Sequence, residues 1–145
     1  MTTTRPPRRA LLWTLSALAL LLPLAAWTAA HQADNDDPFV RLEIRYTDNV
    51  EKHFTRLPFR EGMTVLDAMN LADDWPRGID FQHRGRNATA FLTSIDALEN
   101  EGGRGQRRNW LFSVNDEPAD RSFGVVALQP GDVVRWEYRS ALPEQ

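Results

Sequence analysis

The chain has 145 residues, 17 Lys+Arg against 20 Asp+Glu, a formal net charge of −3 and no cysteine. That length suits one domain and not two, and the acidic balance argues against nucleic acid or anionic lipid as a generic partner. The lack of cysteine excludes disulfides, a cysteine nucleophile, a thiolate metal site and a lipid-modified N-terminal cysteine.

Residues 1–9 carry Arg5, Arg8 and Arg9 and no acid, and an apolar run follows from Ala10 to Ala30. A basic stretch, an apolar stretch and then small residues (Thr28-Ala29-Ala30) is the order of a secretory signal with a cleavage site. About twenty apolar residues also suffice to cross a bilayer. Residues 1–30 are therefore expected to form a hydrophobic targeting helix, either a cleaved signal peptide or an uncleaved membrane anchor through residues 10–30. Pro23 and the small residues near 28–30 favour cleavage. Arg8-Arg9 lacks the Phe-Leu-Lys continuation of a twin-arginine signal. Either outcome predicts an extracytoplasmic domain: periplasmic, secreted, or anchored and facing outward. Removal of residues 1–30 leaves 14 Lys+Arg against 20 Asp+Glu, a net charge of about −6. Residues 31–38 read as a short acidic linker.

Alternation begins next. Val40, Leu42, Ile44 and Tyr46 fall on one face of a predicted strand, with Arg41, Glu43 and Arg45 on the other. Asp48-Asn49 is a turn signal, and residues 50–57 return as a second strand of a hairpin. Pro58 and Gly62 end it. Thr64 is placed as a helix N-cap with Asp67 complementing the first turn. Val65, Leu66, Met69 and Ala72 form the apolar stripe of a short helix, with Leu66 and Met69 expected to be buried against the sheet. Asp73-Asp74-Trp75-Pro76 stops it. Ile79, Phe81 and His83 alternate as a third strand, and residues 89–98 read as extended. Residues 101–108 form a glycine- and arginine-rich loop. Trp110, Phe112 and Val114 then alternate against Leu111 and Ser113. After the Pro130-Gly131 turn, Val134, Trp136 and Tyr138 alternate against Val133, Arg135 and Glu137. Two strands, one helix and further strands around one sheet predict an α+β plan.

Four motifs then recur in order: residues 62–68 (Gly-Met-Thr-Val-Leu-Asp-Ala), 93–95 (Thr-Ser-Ile), 110–115 (Trp-Leu-Phe-Ser-Val-Asn) and 130–138 (Pro-Gly-Asp-Val-Val-Arg-Trp-Glu-Tyr). On these the chain resembles the DUF4430 family, which is similar to the C-terminal β-domain of transcobalamin and intrinsic factor. The resemblance implies a β-grasp (ubiquitin-like) fold over residues 39–140, a mixed sheet curled over one helix. It also implies a non-catalytic binding module with a corrinoid-type ligand and no resident cofactor. In the carriers this domain closes over one face of the corrinoid, and most of the binding surface belongs to a separate helical barrel. Mapped residue by residue, the ligand contacts fall on Trp110, Leu111, Asn115 and Asp116. The sequence departs from the carriers at Asn109, where they have an aromatic, and at Asn115-Asp116-Glu117, where the wider family favours Asn-Gly.

Each candidate has a plainer reading. Trp110 and Trp136 offer flat apolar surface to a ring-shaped ligand, yet both lie on alternating core faces, where aromatics supply much of a small domain's burial. Arg104, Arg107 and Arg108 are the candidates for an acidic protein partner, which makes an exported interaction module, docking through this loop or a sheet edge, the alternative function. A solvated loop is the plainer reading of that stretch. His31, His53 and His83 form no metal-ligand or general-base spacing, with His83 expected at a sheet edge. Asp34, Asp36 and Asp37 fail as a calcium loop because Phe39 and Arg45 replace its glycine and glutamate. Asn87-Ala88-Thr89 fits a glycosylation acceptor. No nucleophile elbow, paired catalytic carboxylates or cofactor fingerprint is present, so neither an enzyme nor a metal protein is expected.

Overall fold

The computed structural model describes residues 37–103 and 105–141. The predicted targeting segment, most of the acidic linker, His31 and Arg104 lie outside the described residues. Among the described residues no helix is long and apolar enough to cross a membrane.

Strands β1 (Phe39–Thr47) and β2 (Val50–Pro58) form the predicted hairpin, antiparallel from Phe39↔Pro58 to Thr47↔Val50. The period-two pattern of β1 decides its faces. Val40, Leu42 and Ile44 are fully buried, and Tyr46 is half-buried. Helix α1 (Val65–Asp73) starts at Thr64, whose side chain accepts from the Asp67 amide while the Asp67 carboxylate accepts from the Thr64 amide. This capping box fills orphan donors at both positions. Two more are filled from a distant loop: Val65 N–H donates to the Val126 carbonyl and Leu66 N–H to that of Phe123, both at 3.0 Å.

The helix buries Val65, Ala68, Met69 and Ala72. Leu66, expected to be buried, is only half-buried. Ala68 takes its place, because it lies one turn after Val65 and beside Met69 on the face that meets β1 and β2. The third strand is shorter than expected. β3 covers Phe81–Arg84, and Ile79 is buried just ahead of it. A 3-10 turn (Asn87–Thr89) precedes β4 (Phe91–Ile95), and an Asp96-Ala97 turn leads to β5 (Leu98–Glu99). These three strands form a small sheet in the order β3-β4-β5, with exposed His83 on its edge.

β6 (Arg108–Val114), the two-residue β7 (Glu117–Pro118) and β8 (Val133–Ser140) complete the main sheet, ordered β2-β1-β8-β6-β7. The first and last strands pair in parallel, from Arg41↔Val133 to Arg45↔Glu137, and every other pairing is antiparallel. The sheet is therefore mixed and the domain α+β, sheet-rich with one α-helix. Val134, Trp136 and Tyr138 point into the core as their alternation predicts. Phe123 and Leu128, in the long connection before β8, are also buried there. No period marked them, since a loop has none.

Candidate functional site

The outer side of β6 is covered only in part. β7 pairs with Ser113 and Val114, and Ala119 N–H donates to the Phe112 carbonyl at 3.0 Å. Along this edge runs a groove of about 580 Å³, lined by residues 110–113 of β6, residues 88–92, the loop 118–123, and Arg135, Trp136, Glu137 and Arg139 of β8. It takes in both faces of β6. Leu111 and Ser113 lie on the charged outward side, and Trp110, Phe112 and Trp136 on the aromatic inward side.

Two loop segments are clamped together to make its walls. The Ser122 hydroxyl lies 2.7 Å from both the Asn87 and the Ala90 carbonyls, and it accepts from the Gly124 amide at 3.2 Å. Gly124 permits this approach: a Cβ there would stand 2.6 Å from the Asn87 carbonyl oxygen and 2.9 Å from the Ala90 Cβ. The wall is completed by Phe123, set edge-on to Trp136 at 5.5 Å. Phe112 stacks on the same indole at 4.7 Å, tilted by 32°. Phe91, half exposed, sits at the rim with the Arg84 guanidinium over its ring.

The candidates from the sequence divide. Trp110, Leu111 and Asp116 all line the groove. Trp110 is nevertheless 5 % exposed, edge-on to Tyr46 and tilted against Tyr138, with its Nε1–H donating to the Leu98 carbonyl at 2.8 Å. Asn115 is not part of the lining. Its side-chain amide donates to Asp132 at 2.8 Å and its carbonyl accepts from Val133 N–H at 3.0 Å, which laces the β6–β7 turn to the start of β8. Asn115 and Asp116 both have positive φ, 52° and 66°, the geometry of a two-residue hairpin turn that Asn and Asp tolerate. Arg107, in the β5–β6 loop, and Arg108, the first residue of β6, do not line the groove. Arg107 donates to the Glu101 carbonyl, and Arg108 pairs with the Glu101 carboxylate at 3.6 Å and covers the Tyr138 ring.

Electrostatically the groove is balanced, with Arg121, Arg135 and Arg139 against Asp116, Asp120 and Glu137. Arg135 bonds Glu43 at 2.8 Å and also Asp116, and these two carboxylates hold its guanidinium above its usual pKa. Glu137 takes Arg45 at 2.8 Å and Arg139 at 3.2 Å. Among the described residues no group of three or more His, Asp or Glu is placed to hold a metal ion.

Sequence reasoning did not single out Phe91, Phe123 or Arg135 for the site. Large aromatics in stretches rich in small and polar residues were the available signal. The Phe91 segment meets the Phe123 loop through bonds from Ser122 to the Asn87 and Ala90 carbonyls, which span 35 and 32 residues.

A sheet-rich α+β domain with one helix and a lateral aromatic groove is the class that this architecture defines. Residues 62–140 match DUF4430, a domain of unknown function, and the chain belongs to that family. Two solved structures share the fold. One is a candidate metal-binding protein from Ruminococcus gnavus ATCC 29149, with a TM-score of 0.50 and 16% identity, over 72% of this chain and 99% of that one. The other is haptocorrin in complex with Cbi, with a TM-score of 0.53 and 20% identity, over 72% of this chain and 26% of haptocorrin. The chain thus spans about a quarter of haptocorrin's length. No curated protein matches it by sequence.

Proposed function

We propose that the protein is an extracytoplasmic, non-catalytic binding module of β-grasp type that holds a small molecule in the groove beside β6. The groove carries this reading. At about 580 Å³ it falls in the size range of small-molecule sites and has their character, apolar walls with a few fixed polar groups. Parallel pairing of the first and last strands beside a single helix supports the β-grasp assignment. The fold likeness to haptocorrin bound to Cbi supports a corrinoid-type ligand. The basic and apolar N-terminus supports export.

One small domain covers only part of a corrinoid, so affinity is expected to be micromolar to millimolar, about 4–8 kcal/mol. Titration of a corrinoid into the purified protein should shift the amide resonances of residues 109–117. No shift there at millimolar corrinoid, in a folded sample, would remove this ligand. A fusion of residues 1–38 to a reporter should be carried across the membrane, and cytoplasmic retention would remove the export reading.

A further inference from the structure

Three aromatic side chains in or beside the groove bring a polar hydrogen into the interior, and only two of them have somewhere to put it. Trp110 Nε1–H donates to the Leu98 carbonyl and the Tyr138 hydroxyl to the Glu99 carbonyl, each at 2.8 Å. Trp136 is the third. It is 2 % exposed, held between Phe112 and Phe123, and its Nε1 has no acceptor among the described residues. Burying a donor without a partner is unfavourable, and native structures seldom do it without a reason. Trp136 belongs to the groove lining, so the residue that lacks an acceptor is part of the groove wall.

We infer that the groove receives a flat, uncharged part of a ligand that carries a neutral hydrogen-bond acceptor such as an amide, with Trp136 Nε1–H as the donor that recognises it. This rests on the groove being a binding site. Flatness follows from the walls: Phe112, Phe123 and the half-exposed Phe91 present aromatic surface. The absence of net charge follows from the ion pairs. Arg135 and Glu137 are each taken up by two opposite charges, and the three arginines of the lining face three acids. A carboxylate ligand would have to displace one of those acids, whereas an amide or ring carbonyl displaces nothing. Selection then falls to the one buried side-chain donor left unpaired among the described residues.

The test uses two small probes of similar shape, benzamide and toluene, titrated into the full-length protein and followed by amide and indole N–H resonances. Both should shift Leu111, Phe112 and Phe91. Only benzamide should move the Trp136 indole proton downfield, and it should bind about fivefold tighter, as one added hydrogen bond allows. Trp136→Phe should keep toluene binding and bring the two probes to within about twofold of each other. If both probes shift the groove equally and the Trp136 indole proton stays still, the donor role is overturned and the groove remains a binding site. If neither shifts it, the binding reading fails and takes the inference with it. The parent-protein titration decides between these even if Trp136→Phe does not fold.

Discussion

On the outward face of the main sheet Arg45 sits between Glu51 at 2.6 Å and Glu137 at 2.8 Å, and Arg135 pairs with Glu43 at 2.8 Å. His53 Nε2 lies 2.9 Å from Glu51. One residue further along each strand, the inward face holds Leu42, Ile44, Val134 and Trp136, all but inaccessible to water. The outward face carries charge, and Arg45, Arg135 and Glu137 are each paired locally. The inward face is mostly apolar, and among the described residues it leaves one donor, Trp136 Nε1, without an acceptor in a residue that lines the groove. A surface whose polar groups are all satisfied has little reason to take a ligand. An aromatic wall with a spare donor has one.

The two faces should differ in energy as well. Met69→Ala removes a fully buried side chain under the inward face and should cost about 2–5 kcal/mol through lost transfer energy and the cavity left behind. Urea unfolding measures this directly. Leu66→Ala, on the same helix but half-buried, should cost clearly less. Equal losses would mean that the helix is rotated from the position described.

Asp96 fastens the small sheet to the main one. Its carboxylate accepts from Lys52 Nζ at 2.7 Å, from the Tyr46 hydroxyl and from the Asp80 amide at 2.9 Å. Partial burial pulls its pKa up, but the bonds from Lys52, Tyr46 and the Asp80 amide together outweigh that and hold it below its usual 3.8. Burial, with the bond to Asp96 added, pushes the Tyr46 hydroxyl well above its usual value. A depressed folded pKa gives stability that is present above about pH 4 and lost as pH falls through the folded value. Asp96→Asn should therefore cost about 1–3 kcal/mol at neutral pH, and its stability should converge on that of the parent protein as the pH drops below 4. A gap that persists undiminished at acid pH would assign the loss to packing.

The smallest effect is expected on the outward face. Glu43→Gln breaks the pair with Arg135, yet partly exposed pairs are worth at most about 1 kcal/mol. The loss should shrink further in high salt. If Glu43→Gln destabilised the protein as much as Met69→Ala, the contrast between the faces would collapse.

Much of the frame was legible in the sequence because its signals are local. The alternation of Val40, Leu42 and Ile44 and of Val134, Trp136 and Tyr138 set strand faces through the pleat. Thr64 and Asp67, three residues apart, set a helix start through backbone donors they alone could reach. Asp48-Asn49 marked the turn of the first hairpin, where short polar side chains are favoured. Other features had no local signal. Leu66 and Ala68 traded places because the direction from which the sheet approaches decides which side of a stripe is buried. The pairings of Glu43 with Arg135 and of Arg45 with Glu137 each cross 92 residues, and they exist because the first and last strands lie side by side in parallel. The groove is the extreme case. Its walls come from residues 88–92 and 118–123, joined through the Ser122 hydroxyl and the bare Cα of Gly124 against Asn87. Sequence patterning determined which faces are apolar, since each strand or helix carries its own period. Only the tertiary structure decided which aromatic would be left with an unpaired N–H, because that depends on the carbonyls that distant segments bring close: Leu98 supplied one to Trp110 at 2.8 Å, and none among the described residues reached Trp136.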